Sequence, residues 1–143
     1  MTVVATVQKL VDGPHNLVVH LNASMANTDA ETAVKKIDVT TLASDSGSGP
    51  LAQPCKRLVL LRSVFSTSNL LVRLLWEAST PVIFEVFGPN AAYSKRHYQE
   101  FGGVSNNAGA GITGNVLLTT EIAGGTESDA FYDIILHFRK KYS

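Results

Sequence analysis

Apolar residues along the chain recur in runs of about five to ten, rich in Val, Ile, Leu, Thr, Phe and Tyr and separated by turn formers, a spacing that predicts strands. The first pair is the most sharply drawn. Val3–Val11 and Leu17–Leu21 flank Asp12, Gly13, Pro14 and His15, where Gly and Pro favour turn dihedrals that a strand does not use, so an amino-terminal hairpin is expected. Asn22–Glu31 is polar and loop-like. Ala33–Leu42 carries Val34, Ile37, Val39, Thr40 and Thr41; its β-branched second half predicts a strand, whereas its first half also fits a helix. Ala43–Pro54 is a Ser, Gly and Pro stretch with almost nothing to bury and predicts a mobile surface loop.

The centre supplies three strands, Arg57–Phe65, Leu70–Glu77 and Pro81–Phe87, separated by Ser66–Asn69 and Ala78–Thr80. In the third, Val82, Phe84 and Val86 alternate with Ile83, Glu85 and Phe87, and Glu85 is the sole charge, which fits a strand covered on both faces or lying at an interface. Asn90–Gly103 mixes aromatics with charges and Val104–Asn115 is rich in Gly, Asn and Ala, so residues 90–115 are expected to form the longest irregular segment, beside the shorter loop at 43–54. Val116–Ile122 and Phe131–Arg139 close the chain. In the last strand Phe131, Asp133, Ile135, His137 and Arg139 share one face, and Tyr132, Ile134, Leu136 and Phe138 the other. About seven or eight strands with hairpin-like links and no long amphipathic helix predict an all-β chain, an antiparallel β-sandwich or jelly-roll-like fold in a single domain over residues 1–143.

Composition sharpens this picture in three ways. Charged residues are 17% of the sequence against 45% apolar, below the quarter or so usual for globular domains, which suits a protein that lies against other proteins. Lys and Arg together number 12 and balance the 12 Asp and Glu. No net field draws in nucleic acid, and the small clusters Lys95, Arg96, His97 and Arg139–Lys141 read as solvated ends, so no nucleic-acid partner is expected. Cys55 is the single cysteine, which excludes an internal disulfide framework and fits synthesis in a reducing cytoplasm. Met1–Leu10 lacks the pattern of a signal peptide and no run approaches about 18 apolar residues, so a soluble chain without a membrane partner is expected.

Candidate chemistry is sparse. Gly109, Gly111 and Gly114 match a glycine pattern of dinucleotide sites, but that pattern must open a helix, and Val116–Thr120 is strand-like. His15, His20, His97 and His137 have no ligand-like spacing; Cys55 follows Pro54 without a nucleophile signature; Ser44–Ser48 lies in a loop. Glu77, Glu85, Glu100 and Glu121 are the carboxylates that a hydrolytic pair would need, and a solvated or hydrogen-bonded role is expected for each. Trp76 has apolar neighbours and is expected in the core in preference to a sugar platform. No catalytic, cofactor or metal residue is therefore assigned, and a non-enzymatic role is expected. Two groups fit a protein interface: the aromatic and basic set Tyr93, Arg96, His97, Tyr98 and Phe101, whose rings could equally cap the end of the core, and Val3 and Val4 in the charge-free segment Met1–Val7, a strand suited to donation.

The run Tyr98–Thr120 (YQEFGGVSNNAGAGITGNVLLTT), the closing Asp133–Tyr142 (DIILHFRKKY) and the early Asn16–Asn22 (NLVVHLN) resemble a group of small virion structural proteins of tailed bacteriophages; Ala23–Arg73 departs from them. The resemblance implies a β-sandwich in the virion, made in the host cytoplasm, and carries over no binding residue. The reading drawn from it is a capsid decoration (cement) protein on the capsid surface that binds the major capsid protein and self-associates as a trimer or dimer. A neck, tail or fibre-base component is the alternative, and a carbohydrate-binding or host-adhesion module the second.

Overall fold

The computed structural model describes residues 3–25, 30–45, 51–122 and 130–142. They form strands β1 (Val4–Asp12), β2 (Asn16–Met25), β3 (Val34–Ile37), β4 (Arg57–Ser68), β5 (Leu70–Trp76), β6 (Val82–Phe87), β7 (Ser94–His97), β8 (Val116–Ile122) and β9 (Ala130–Lys141). Every ladder is antiparallel. The five-stranded sheet has the order β1-β2-β9-β4-β7 and the four-stranded sheet β3-β8-β5-β6. From β2 onward only β5 and β6 are consecutive neighbours; every other connection crosses between sheets. Orders 2-9-4-7 and 3-8-5-6 define a jelly roll, with β1 added outside it as a ninth strand.

Alternation places the core between the layers. Along β5, Leu70, Val72, Leu74 and Trp76 point inward, and along β2 Leu17, Val19, Leu21, Ala23 and Met25 do the same. On β9 the two faces divide as expected, with Tyr132, Ile134, Leu136 and Phe138 fully buried. Trp76 is fully buried, stacked on Phe84 at 3.7 Å between centroids and 11° between planes, and tilted against Phe138 at 6.4 Å. A bulge makes the stack possible. Leu74 pairs with Glu85 but Leu75 with Ile83, so Phe84 is the extra residue and turns onto the indole while Ile83 faces solvent. β6 is accordingly covered on one face only: Glu85 and Phe87 are buried, Ile83 and Val86 exposed.

Several boundaries differ from expectation. β2 runs on to Met25 because Asn22 and Ser24 face solvent while Ala23 and Met25 enter the core, so the polar look of this stretch is one face of a strand. β4 continues through Ser66–Ser68, and the turn shrinks to Asn69 in a left-handed conformation. In the third segment the order is reversed: Val34–Ile37 is the strand, and the β-branched Val39–Thr41 forms a 3-10 turn whose amide at Thr40 is capped by the Asp38 carboxylate. Residues 90–115 are broken by β7 and a second 3-10 turn, Gln99–Phe101, because Lys95–His97 find ladder partners on β4. Of the loop at 43–54, residues 46–50 lie outside the described residues.

Gly114 is held at positive φ, and a Cβ there would sit 2.0 Å from the Lys56 carbonyl oxygen, so Gly114→Ala must displace the chain beside β4. Two stability outcomes follow from this packing. Trp76→Ala is expected to lower the unfolding free energy by about 3–5 kcal/mol. Gly114→Ala should destabilise by more than about 1 kcal/mol, both read by denaturant titration.

Candidate interaction surface

Each sheet ends in strands that carry unpaired backbone groups, and these edges differ in how well they are protected. β3, β6 and β7 are edge strands of four, six and four residues, and β7 carries Lys95, Arg96 and His97. Short length and charge blunt such edges. β1 is different: it has nine residues, its only ladder partner among the described residues is β2, and eight of the nine positions are exposed. Val4 is 63% exposed, and Val7, Leu10 and Val11 are exposed on the same strand. Opposite pairing puts Ala5 and Val7 on the side of the buried Ala23 and Leu21, and Val4 and Thr6 on the side of Ser24 and Asn22. The inward side of β1 thus overhangs the four-stranded layer. Side chains tie down its carboxy-terminal end: a bulge lies between Lys9 and Val11, Lys9 Nζ donates to the Thr41 carbonyl at 3.0 Å, and the Asp12 carboxylate accepts from Lys140 and from the Ala43 amide. Val3 is partly buried against the core.

At the opposite rim, the expected aromatic and basic set divides. Arg96 and Tyr98 turn inward and close the seam between β6 and β7. The Arg96 guanidinium donates to Glu85 Oε1 at 2.5 Å and to the Val86 carbonyl at 3.0 Å, and the Tyr98 hydroxyl donates to the other Glu85 oxygen. Arg96 also lies over the Phe65 ring at 4.8 Å, and Phe65 meets Phe87 at 4.3 Å. This is the core-capping alternative for these two residues. Tyr93 and Phe101 remain about 70% exposed, Phe101 edge-on to Tyr98, and His97 sits exposed opposite Arg62. Burial and the hydrogen bond to Glu85 push the Tyr98 phenol up to about 12.

Two further ion pairs hold buried charges in the same manner. Lys36 meets Glu31 at 2.5 Å, and the Tyr132 hydroxyl donates to Glu31 at 2.7 Å, linking β3 to β9. Lys140, whose side chain is wholly buried, binds Asp12 and the Ala43 carbonyl.

The remaining candidates for chemistry are dispersed. His20 binds Asp133, and His137 bonds Asn16 at 3.1 Å and titrates below the ordinary imidazole range because it is partly buried beside Arg62. His15 lies in the turn between β1 and β2, where its carbonyl accepts from Lys140. Cys55 is buried, donates to the Arg57 carbonyl, and has its thiol pushed up by burial, which disfavours the thiolate. Glu77 is held below the usual carboxylate range by Thr113 and Asn115, Glu85 is committed to Arg96 and Tyr98, and Glu121 to Arg73. Gly109, Gly111 and Gly114 all have positive φ in a loop that leads into β8, not a helix. Trp76 offers no platform to a sugar, being in the core. No group of three or more His, Cys, Asp or Glu able to hold a metal ion occurs among the described residues.

Fold and surface together define an all-β jelly-roll protein whose conspicuous exposed features are an unprotected edge strand and a rim of aromatic and basic side chains. No protein-family model matches the chain, and neither a curated protein nor a solved structure does.

Because the neutral Tyr98 phenol is favoured in the fold, its contribution to stability is whole below pH about 10 and is lost as pH rises toward 12. Tyr98→Phe is therefore expected to flatten the fall of unfolding free energy over that window and to remove one step near pH 12 from the tyrosinate absorbance titration.

Proposed function

We propose that this chain is a non-enzymatic structural subunit of a tailed-phage particle, a head decoration protein that binds the major capsid protein and clamps neighbouring subunits of the shell. The observation that carries the reading is β1, a long edge strand with few charges, exposed along nearly all its length. An edge of this kind invites a further strand, and its exposed Val4, Val7, Leu10 and Val11 supply apolar area for a neighbour to cover. The resemblance of Asn16–Asn22, Tyr98–Thr120 and Asp133–Tyr142 to small virion proteins supports the same reading. So does the jelly roll, by fold-level analogy, since capsid domains are among those built on it. Many weak contacts repeated by symmetry suffice for a shell clamp, and no pocket chemistry is required.

Quantitative mass spectrometry of purified particles, referenced to the major capsid protein, is expected to find on the order of hundreds of copies of the chain, as shell symmetry demands. A count of about six or twelve would move it to the neck or tail, and its absence from particles would end the reading. The double variant Val4→Lys, Val7→Lys should keep its unfolding free energy within about 0.5 kcal/mol of the parent, as exposed positions do, yet fail to enter particles.

A further inference from the structure

The outer face of the five-stranded sheet carries charge unevenly. Strand registers place Arg57, Arg62, Lys95, Arg139 and Lys141 on it. Asp133 is the one acidic residue at the described strand positions of this face, and it is already bonded to His20 and Asn22. Acidic groups that balance these cations lie elsewhere: Glu31 and Glu85 are buried in pairs, Glu121 pairs with Arg73, and Glu77 bonds Thr113 and Asn115. A neutral chain thus presents one basic face.

At one corner of that face the cations converge on a cavity. Arg57 and Lys141 stand directly opposite each other across β4 and β9, a like-charge pair that repels, and Arg139 follows on the same face of β9. Beyond β7 the chain returns to β4 through the bridge between Leu60 and Val104, and Ser105 and Asn106 then line a cavity of about 230 Å³ with Arg57, Leu58, Val59 and Lys141. Asn106 is only 8% exposed. Its Oδ1 accepts from the Ala108 amide at 3.2 Å, while its Nδ2 has no hydrogen-bond partner among the described residues. A buried donor left unmade is costly, and Arg57 and Lys141 stand at the same cavity with no carboxylate among the described residues that line it.

We propose that this cavity receives a carboxylate side chain from an acidic segment of a partner protein. The guanidinium of Arg57 matches a carboxylate in a two-bond fork, Lys141 adds charge, and Asn106 and Ser105 line the cavity with neutral polar groups. The volume lies below the roughly 300 Å³ at which small-molecule sites begin. No aromatic ring lines the cavity to stack a base, which sets a nucleic-acid strand apart from a protein carboxylate. The inference rests on the proposed structural role only for the partner's identity, the major capsid protein; the site itself belongs to the isolated chain.

The test is a titration of the isotope-labelled full chain with hexaglutamate peptide at low salt, followed by the side-chain amide signal of Asn106. That signal and the Ser105 amide are expected to shift with saturation. Arg57→Gln and Lys141→Gln, both at exposed positions, should each weaken binding about tenfold, the worth of a charged hydrogen bond. Lys35→Gln on the other sheet should leave it unchanged. An Asn106 signal that stays fixed, or a Lys35→Gln loss equal to that of Arg57→Gln, overturns the site. Duplex DNA that moves Asn106 at lower concentration than the peptide overturns its assignment to a carboxylate. A silent titration leaves the particle copy number standing, and absence from particles leaves a positive titration standing, so the two failures are separable.

Discussion

A charge enclosed between two sheets must find its opposite, and this requirement governs how the jelly roll closes. Three seams carry such pairs. Glu31 with Lys36 and Tyr132 joins β3 to β9, Asp12 with Lys140 joins the end of β1 to β9 and to the chain at Ala43, and Glu85 with Arg96 and Tyr98 joins β6 to β7. Desolvation offsets much of the attraction in pairs of this kind, so their effect lies more in register than in net stability. A slip of one residue in β7 would send Arg96 to solvent and strand the Glu85 carboxylate in the core.

The layers were legible in the sequence wherever one face is buried. β9 and β5 follow an alternation of buried and open positions, β8 stands where its apolar run Val116–Leu118 predicts a strand, and the turn at Asp12–His15 appears where Gly13 and Pro14 announce it. What escaped were elements set by tertiary pairing. β7 is Ser-Lys-Arg-His, four polar residues that no propensity assigns to a strand; it forms because β4 offers a free ladder and Glu85 a partner for Arg96. Val39–Thr41, β-branched throughout, bends into a 3-10 turn because the Asp38 carboxylate and the Asn115 side chain take its amides.

The surface was legible in part. Composition groups Tyr93, Arg96, His97, Tyr98 and Phe101 without separating an exposed role from a core cap: Tyr93 and Phe101 are exposed, whereas Arg96 and Tyr98 are committed to Glu85. Nothing in the linear sequence pairs Arg57 with Lys141, since the ladder between β4 and β9 brings them together from distant positions in the chain. Asn106 gave no signal either. Its orphan donor exists only because the loop after β7 folds back beside Leu60.

β2 to β9 supply both four-stranded halves of the fold, and β1 lies outside them, adding the Asp12 end that covers Lys140. A strand held by one ladder opens at a fraction of the free energy of global unfolding. An outer strand of this kind is therefore the part of the molecule that local opening reaches first, while the buried Lys140 holds its Asp12 end in place.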